Sequence, residues 1–283
     1  MVAYRLLVID IDGTLLDGRS TLTPRTREAI RRAVGSGAIV TLATGRRTRS
    51  ARPIIDDLGV TVPVILHNGA IVYDSARDVV LWDRHLPLAV AWCALDTIIA
   101  SGFQPVVYEN AFRGERLFAG PEEYDSPLTA LYLRNAGELV ERRPHAQLLR
   151  DEDGDPVRLA VMDDAARIRD LATRLASAAG CRTVVNTTPT MTRHGGLVLE
   201  VLAVDCSKGS AMAFLARHFD VPLAQVLAIG DHNNDVEMLQ MAGLGVAVGN
   251  AEPAVLACAD YVAPSNDDEG VAHVIERFVL GET

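Results

Sequence analysis

Asp10-Ile11-Asp12-Gly13-Thr14 carries two carboxylates two residues apart, directly after a short apolar run. On extended backbone such side chains leave from the same side, so both acids can face one pocket. Buried like charges repel, and the pair calls for a cation beside it. A solvated Asp-Gly turn is the alternative. Thr44-Gly45-Arg46 follows a second apolar run and offers a hydroxyl and free backbone N–H groups, suited to an anionic oxygen. An ordinary helix cap would look the same. Lys208 is the one lysine among 27 basic residues. A compact ammonium on a flexible stem is not interchangeable with a planar guanidinium. Lys208 falls in the first turn of a helix, where the macrodipole disfavours a cation, so it asks for a negative partner. Gly230-Asp231-His232-Asn233-Asn234-Asp235 sets two carboxylates four apart around amides. That hard-oxygen set suits Mg²⁺ rather than zinc; an Asn/Asp-rich loop capping the next helix is the alternative.

The elements that must carry these residues alternate at both ends of the chain. Arg5–Ile9 reads as a buried strand. Thr23-Pro24 opens a helix with apolar Ala29, Ile30, Ala33 and Val34, stopped at Gly35 or Gly37. Ala38–Ala43 is a second strand, then come a helix through the early 50s and a third strand, Val62–Leu66, running into His67-Asn68-Gly69. Near the C-terminus, Ser207 caps a helix through Phe219. Strands at Gln225–Ile229 and Leu244–Val248 follow, with a helix between them, a minor strand at Tyr261-Val262 and a last helix at Glu269–Leu280. Buried strands alternating with helices predict an α/β fold, a doubly wound parallel sheet whose ligands bind beyond the carboxyl ends of the strands.

The stretch 84–203 breaks this order. A helix at Leu88–Ala100, a strand at Pro105–Tyr108 and a loop-rich Gly114–Pro127 are followed by a strand at Val157–Met162. A helix at Ala165–Ala179 and strands near Arg182–Thr187 and Leu197–Leu202 complete it. The expected division is 1–83 with 204–283 as the core and 84–203 as an inserted α+β domain.

Four such motifs, in this order at successive strand or helix ends, form a specific set. The chain resembles the haloacid dehalogenase-like hydrolase superfamily. Asn68-Gly69-Ala70, Ser207-Lys208-Gly209, Gly249-Asn250-Ala251 and Asn266-Asp267 with Gly270-Val271 match its Cof-type branch. His232 departs from that pattern, which more often has a small residue there. The resemblance implies a Rossmann-like core with a large α/β cap, closing over the pocket to exclude bulky substrates and bulk water. It also implies Mg²⁺-dependent hydrolysis of small phosphorylated metabolites, sugar phosphates among them, through an aspartyl-phosphate. In that scheme Asp10 is the nucleophile and Asp12 the general acid and base. The metal is held by Asp10, Asp231 and the backbone carbonyl of Asp12, with Asp235 orienting the shell or ligating directly. Thr44, Gly45 and Lys208 hold the phosphate, with Arg46 and Asn234 as further candidates. Asn68 stands open between a place in the site and a turn.

Two alternatives share these motifs. One is phosphoryl transfer between sugar hydroxyls, as in similar phosphomutases. The other is a phosphoacceptor signalling domain, which is shorter and keeps its acid pair on a different strand from the phosphoacceptor. Outside the motifs, Arg47, Arg49 and Arg52 read as a solvated helix face. Glu200 with Arg193-His194-Gly195-Gly196 reads as strand packing, and Trp82 and Trp92 as core. Cys206 beside Ser207 has no His or Asn placed by sequence to activate it.

Composition limits the partners. With 37 acidic against 27 basic residues the formal charge is −10, which repels nucleic acid and anionic membranes. No apolar run reaches the ~18 residues of a membrane helix. The N-terminal stretch meets Asp10 at once, unlike a signal peptide. Cys93, Cys181, Cys206 and Cys258 are scattered, with no redox or zinc spacing. A soluble, cytoplasmic globular protein is the expectation; oligomeric state is not encoded in any feature above.

Overall fold

Fourteen strands, taken among the described residues, sort into two sheets. The structure is a computed structural model of the 283-residue chain and describes residues 4–109, 114–176, 180–187, 191 and 193–282. In chain order the strands are β1 (Leu6–Asp10), β2 (Ile39–Ala43), β3 (Val64–Leu66), β4 (Ile71–Asp74), β5 (Val79–Asp83), β6 (Val106–Tyr108) and β7 (Leu117–Ala119). They continue with β8 (Val140–Arg142), β9 (Arg158–Asp164), β10 (Cys181–Asn186), β11 (Gly196–Ala203), β12 (Val226–Gly230), β13 (Leu244–Ala247) and β14 (Tyr261–Val262). The chain divides into two compact units, Met1–Asp83 with Ser207–Thr283, and Arg84–Cys206.

The first unit is built on an eight-stranded sheet in the order β14-β13-β12-β1-β2-β3-β4-β5. β1 pairs in parallel with both β12 and β2, so the strand order runs away from it in two directions. A strand at such a reversal leaves a crevice beyond its carboxyl end, which is where an open α/β sheet receives a ligand. β1 is apolar throughout its first four residues and every one of its positions is buried, as a strand covered on both faces requires. Leu6 and Val8 pack with Ala43, Ile65, Val226 and Met212 on one face. Trp82 stacks on Phe214 at the edge of the same cluster, with ring centroids 5.8 Å apart.

Local signals place the flanking helices. Thr23 accepts from the Thr26 amide and Pro24 occupies the first turn of Pro24–Gly35, which buries Ala29, Ile30 and Ala33. Ser207 caps Lys208–His218 in the same way. Its side chain accepts from the Ser210 amide, and the Ser210 hydroxyl accepts in return from the Ser207 amide.

The parallel sheet carries an antiparallel extension, the β4–β5 hairpin, which sequence analysis had not assigned. Its turn is built by Asp74, whose Oδ1 accepts from the Ala76 and Arg77 amides.

The second unit has a six-stranded sheet in the order β10-β11-β9-β6-β7-β8, antiparallel except for β7 with β8. Leu159, Val161, Leu199 and Val201 alternate onto the face that packs with Leu95, Ile98, Ile168 and Leu171 of helices Leu88–Ala100 and Ala165–Leu175. Trp92 packs at the margin of that cluster. Arg158 and Glu200 alternate onto the other face and pair at 2.7 Å, both buried. Gly114–Pro127, expected as loop, contains β7, and a helix follows at Pro127–Ala136. The end of the expected helix at 177–179 lies outside the described residues. Among the described residues no helix is long and apolar enough to cross a membrane.

Candidate active site

Asp10 is the last residue of β1, and the chain leaves it through a tight turn. Asp12 (φ −85°, ψ 117°) and Gly13 (φ 84°, ψ −7°) have the dihedrals of the two central residues of a type II turn. Only glycine suits the second position on two counts. Its φ is left-handed, and a Cβ there would stand 2.2 Å from Asp231 Oδ2. The turn therefore rests directly on the acid that ends β12. Thr14 fastens it, its hydroxyl donating to Asp231 Oδ1 at 2.8 Å, both groups buried.

Lys208 reaches this point from the start of its helix. Its side chain is 1% exposed, and Nζ donates to Asp10 Oδ1 at 2.5 Å and to Asp235 Oδ1 at 2.6 Å. Gly69 permits the approach, because a Cβ there would lie 2.0 Å from the Ser207 carbonyl oxygen. Burial alone would strip the proton from a lysine, yet the two carboxylates hold its pKa above the ordinary value. Burial drives Asp10 the other way, up from the usual carboxylate range. Asp235 and Asp231 add to the rise while Lys208 opposes it.

One oxygen each from Asp10, Asp231 and Asp235 lies within 4.8 Å of the other two, all three residues buried. The donors are hard oxygens, and three acidic side chains from separate elements converge on one buried point. Both facts fit a divalent cation of the Mg²⁺ or Ca²⁺ type. Asp235 is the most committed of the three. Its Oδ1 takes Lys208, and its Oδ2 accepts from the Asp231 and His232 amides at 3.1 Å. His232 Nδ1 donates to Asp231 Oδ2 at 2.5 Å, and that contact lifts the imidazole pKa to about 9.

Thr44 is buried just after β2 and its hydroxyl accepts from the Arg46 amide at 3.1 Å. Arg46 does not point alone into the pocket: its guanidinium grips Asp12 through two bonds, Nε to Oδ2 at 2.7 Å and Nη2 to Oδ1 at 2.6 Å. Asn68, whose role the sequence left open, lies against this group. A Cβ on Gly45 would come within 3.0 Å of its Oδ1, and that atom accepts from Asn234 Nδ2 at 2.8 Å. Its φ of 57° is one that asparagine tolerates, a signal compatible with a turn alone. Asn234 Oδ1 is buried with no partner among the described residues. Turning both amides round keeps the Asn68 contact and presents the Asn234 NH₂ as a donor instead.

The sequence thus brings Asp10, Asp12, Thr44, Gly45, Arg46, Lys208, Asp231, Asn234 and Asp235 to one end of the first unit's sheet. Thr14 was legible only as part of its motif. The family model for haloacid dehalogenase-like hydrolases matches residues 7–275. The chain belongs to that family. This hydrolase is of the Cof-type, and its relatives are named phosphatases. It is 31% identical over 293 residues to an HMP-PP phosphatase of Serratia proteamaculans, covering 98% of this chain and 96% of that one. It is 27% identical over 297 residues to a 5-amino-6-(5-phospho-D-ribitylamino)uracil phosphatase of Bacillus subtilis, covering 98% and 99%. A crystal structure from Thermotoga maritima superposes with a TM-score of 0.75 at 26% identity, covering 97% of each chain.

Proposed function

We propose that this phosphatase hydrolyses small phosphorylated metabolites through a phosphoaspartate at Asp10, with Mg²⁺ as its metal. The observation that supports it is the buried ammonium of Lys208 between Asp10 and Asp235, 2.5 and 2.6 Å away, with Asp231 completing the acidic cluster.

The chemistry divides into two displacements at phosphorus. A carboxylate oxygen of Asp10 forms a bond to phosphorus as the bond to the leaving oxygen breaks, and Asp12 gives that oxygen its proton. Asp12, now a carboxylate, takes a proton from water as the water oxygen bonds to phosphorus. The bond to Asp10 then breaks, releasing phosphate and restoring both acids. Two roles for one carboxyl group require that it be held yet accessible, and Asp12 is half-buried with the Arg46 fork on its carboxylate. Thr44, the Gly45 amide, Lys208 and the Asn234 amide hold the non-bridging oxygens, where charge must be balanced as the transferring group passes between the two oxygens.

Asp10, Asp231 and the backbone carbonyl of Asp12 would hold the metal, with Asp235 orienting them. Bound there, Mg²⁺ supplies charge neutralisation and alignment to the phosphoryl group.

The test is phosphate release from a panel of phosphorylated metabolites. Release should stop with EDTA and return with Mg²⁺. Release indifferent to chelation overturns the metal assignment, and an isomerised substrate without free phosphate overturns hydrolysis.

A further inference from the structure

The turn that carries Asp12 is held from both sides. On its inner side Gly13 rests on Asp231, and Thr14 bonds the same carboxylate, so the turn cannot move inward. Outward movement is opposed by three side chains from the other end of the chain. Asn250 Nδ2 donates to the Gly13 carbonyl oxygen at 2.8 Å. Asn266 Nδ2 donates to the Leu16 carbonyl oxygen at 2.8 Å, and Asp267 Oδ1 accepts from the Gly18 amide at 2.7 Å. The three are tied together, since Asn250 Oδ1 accepts from the Asn266 amide at 2.9 Å. Their loop is also tied to the second acidic turn, because the Glu252 amide donates to the Asp231 carbonyl oxygen at 2.9 Å.

We propose that Asn250, Asn266 and Asp267 are positioning residues, a clamp that fixes the Asp12 turn at a set distance from the Asp10 and Asp231 carboxylates. The chemistry of the contacts fits that role better than a contribution to stability. Asn250 and Asp267 are exposed, where a single hydrogen bond adds little to folding. All three meet backbone atoms of one short segment, 237 to 250 residues away in sequence. Holding the Gly13 and Leu16 carbonyls anchors the backbone just beyond Asp12, and with it the position of the Asp12 Cα. Loss of those bonds would let the turn, and the side chain it carries, drift outward without unfolding anything.

The proposal rests on Asp12 as the group that activates water, and the test separates the two. The probe is p-nitrophenyl phosphate, whose nitrophenolate leaves without needing a proton. Asn250→Ala, Asn266→Ala and Asp267→Ala should keep the first-turnover burst within about twofold while the steady-state rate falls about tenfold, the scale expected for a displaced catalytic group. Asp267→Asn, which keeps an oxygen acceptor for Gly18, should recover most of the loss. Thermal midpoints should stay close to the parent.

Burst and steady state falling in parallel, or no change in either, overturns the clamp. Asp12→Asn run alongside should show the same split more strongly. If it turns over at the parental rate, the acid–base assignment fails and the clamp's route to activity fails with it. If it shows the split while the clamp variants turn over at the parental rate, the assignment stands and the clamp alone is overturned.

Discussion

The ammonium of Lys208 lies 2.5 Å from Asp10 Oδ1, across 198 residues of sequence and the whole of the inserted unit. Both side chains are almost fully buried. The pair therefore joins the two separated segments of the core at the point where the chemistry is proposed to occur.

Replacing this lysine separates charge from shape. Lys208→Arg keeps a cation but asks a planar fork to fit a closed pocket between two carboxylates. It should lower kcat at least tenfold and destabilise by about 1–3 kcal/mol through overpacking. Lys208→Met leaves Asp10 and Asp235 without their cation and should cost about 3–5 kcal/mol in urea unfolding. Native activity in Lys208→Arg would show that position 208 needs only a positive charge.

Arg46 tests a different property of the site. Its pair with Asp12 is part-exposed, with side chains 25% and 37% accessible, so it stabilises the fold by about 1 kcal/mol or less. Arg46→Ala should leave urea unfolding nearly unchanged and lower kcat/KM by about 10- to 100-fold, because Asp12 loses both bonds that aim it. Arg46→Lys should recover only part of this, since one ammonium cannot make the two-pronged contact. A large stability loss in Arg46→Ala with unchanged kinetics would assign the pair to folding.

Cys206 offers a prediction in pH. Burial pushes its thiol up to about 12, whereas Cys93 is exposed. The neutral form is the one the folded protein favours. Its contribution is thus intact below the unfolded thiol's value of about 8.5 and is lost as pH climbs towards 12. Iodoacetamide at pH 9 should modify Cys93 and spare Cys206 until the protein is unfolded in urea. Rapid labelling of native Cys206, mapped by peptide mass, would contradict its burial.

The four strand- and helix-end motifs were legible because chemistry constrains residue type there more tightly than packing does. An acid pair after a buried run, a lone lysine at a helix start and an Asp/Asn loop have few other uses in combination. Asn68 was ambiguous because its left-handed backbone satisfies a turn and a site equally. The pairing of Arg46 with Asp12 was hidden for another reason, since a guanidinium after a strand serves phosphate or carboxylate alike. In the fold, Ile71–Asp74 and Val79–Asp83 were missed because they pair antiparallel through a short turn and so fall outside the strand–helix alternation by which the other strands of that sheet were read. β7, only three residues long, was lost in a turn-rich stretch. The clamp contacts lie beyond any local pattern, as hydrogen bonds between segments some 240 residues apart leave no periodicity.

Chemical trapping of the intermediate bears most directly on the central claim. Asp12→Asn would be mixed with p-nitrophenyl phosphate and Mg²⁺, quenched in acid and reduced with borohydride, which converts an acyl phosphate to the alcohol. Peptide mapping should find homoserine at position 10 and at no other acidic residue. An unreduced Asp10 in protein that has released nitrophenolate, or reduction at another carboxylate, would contradict the account.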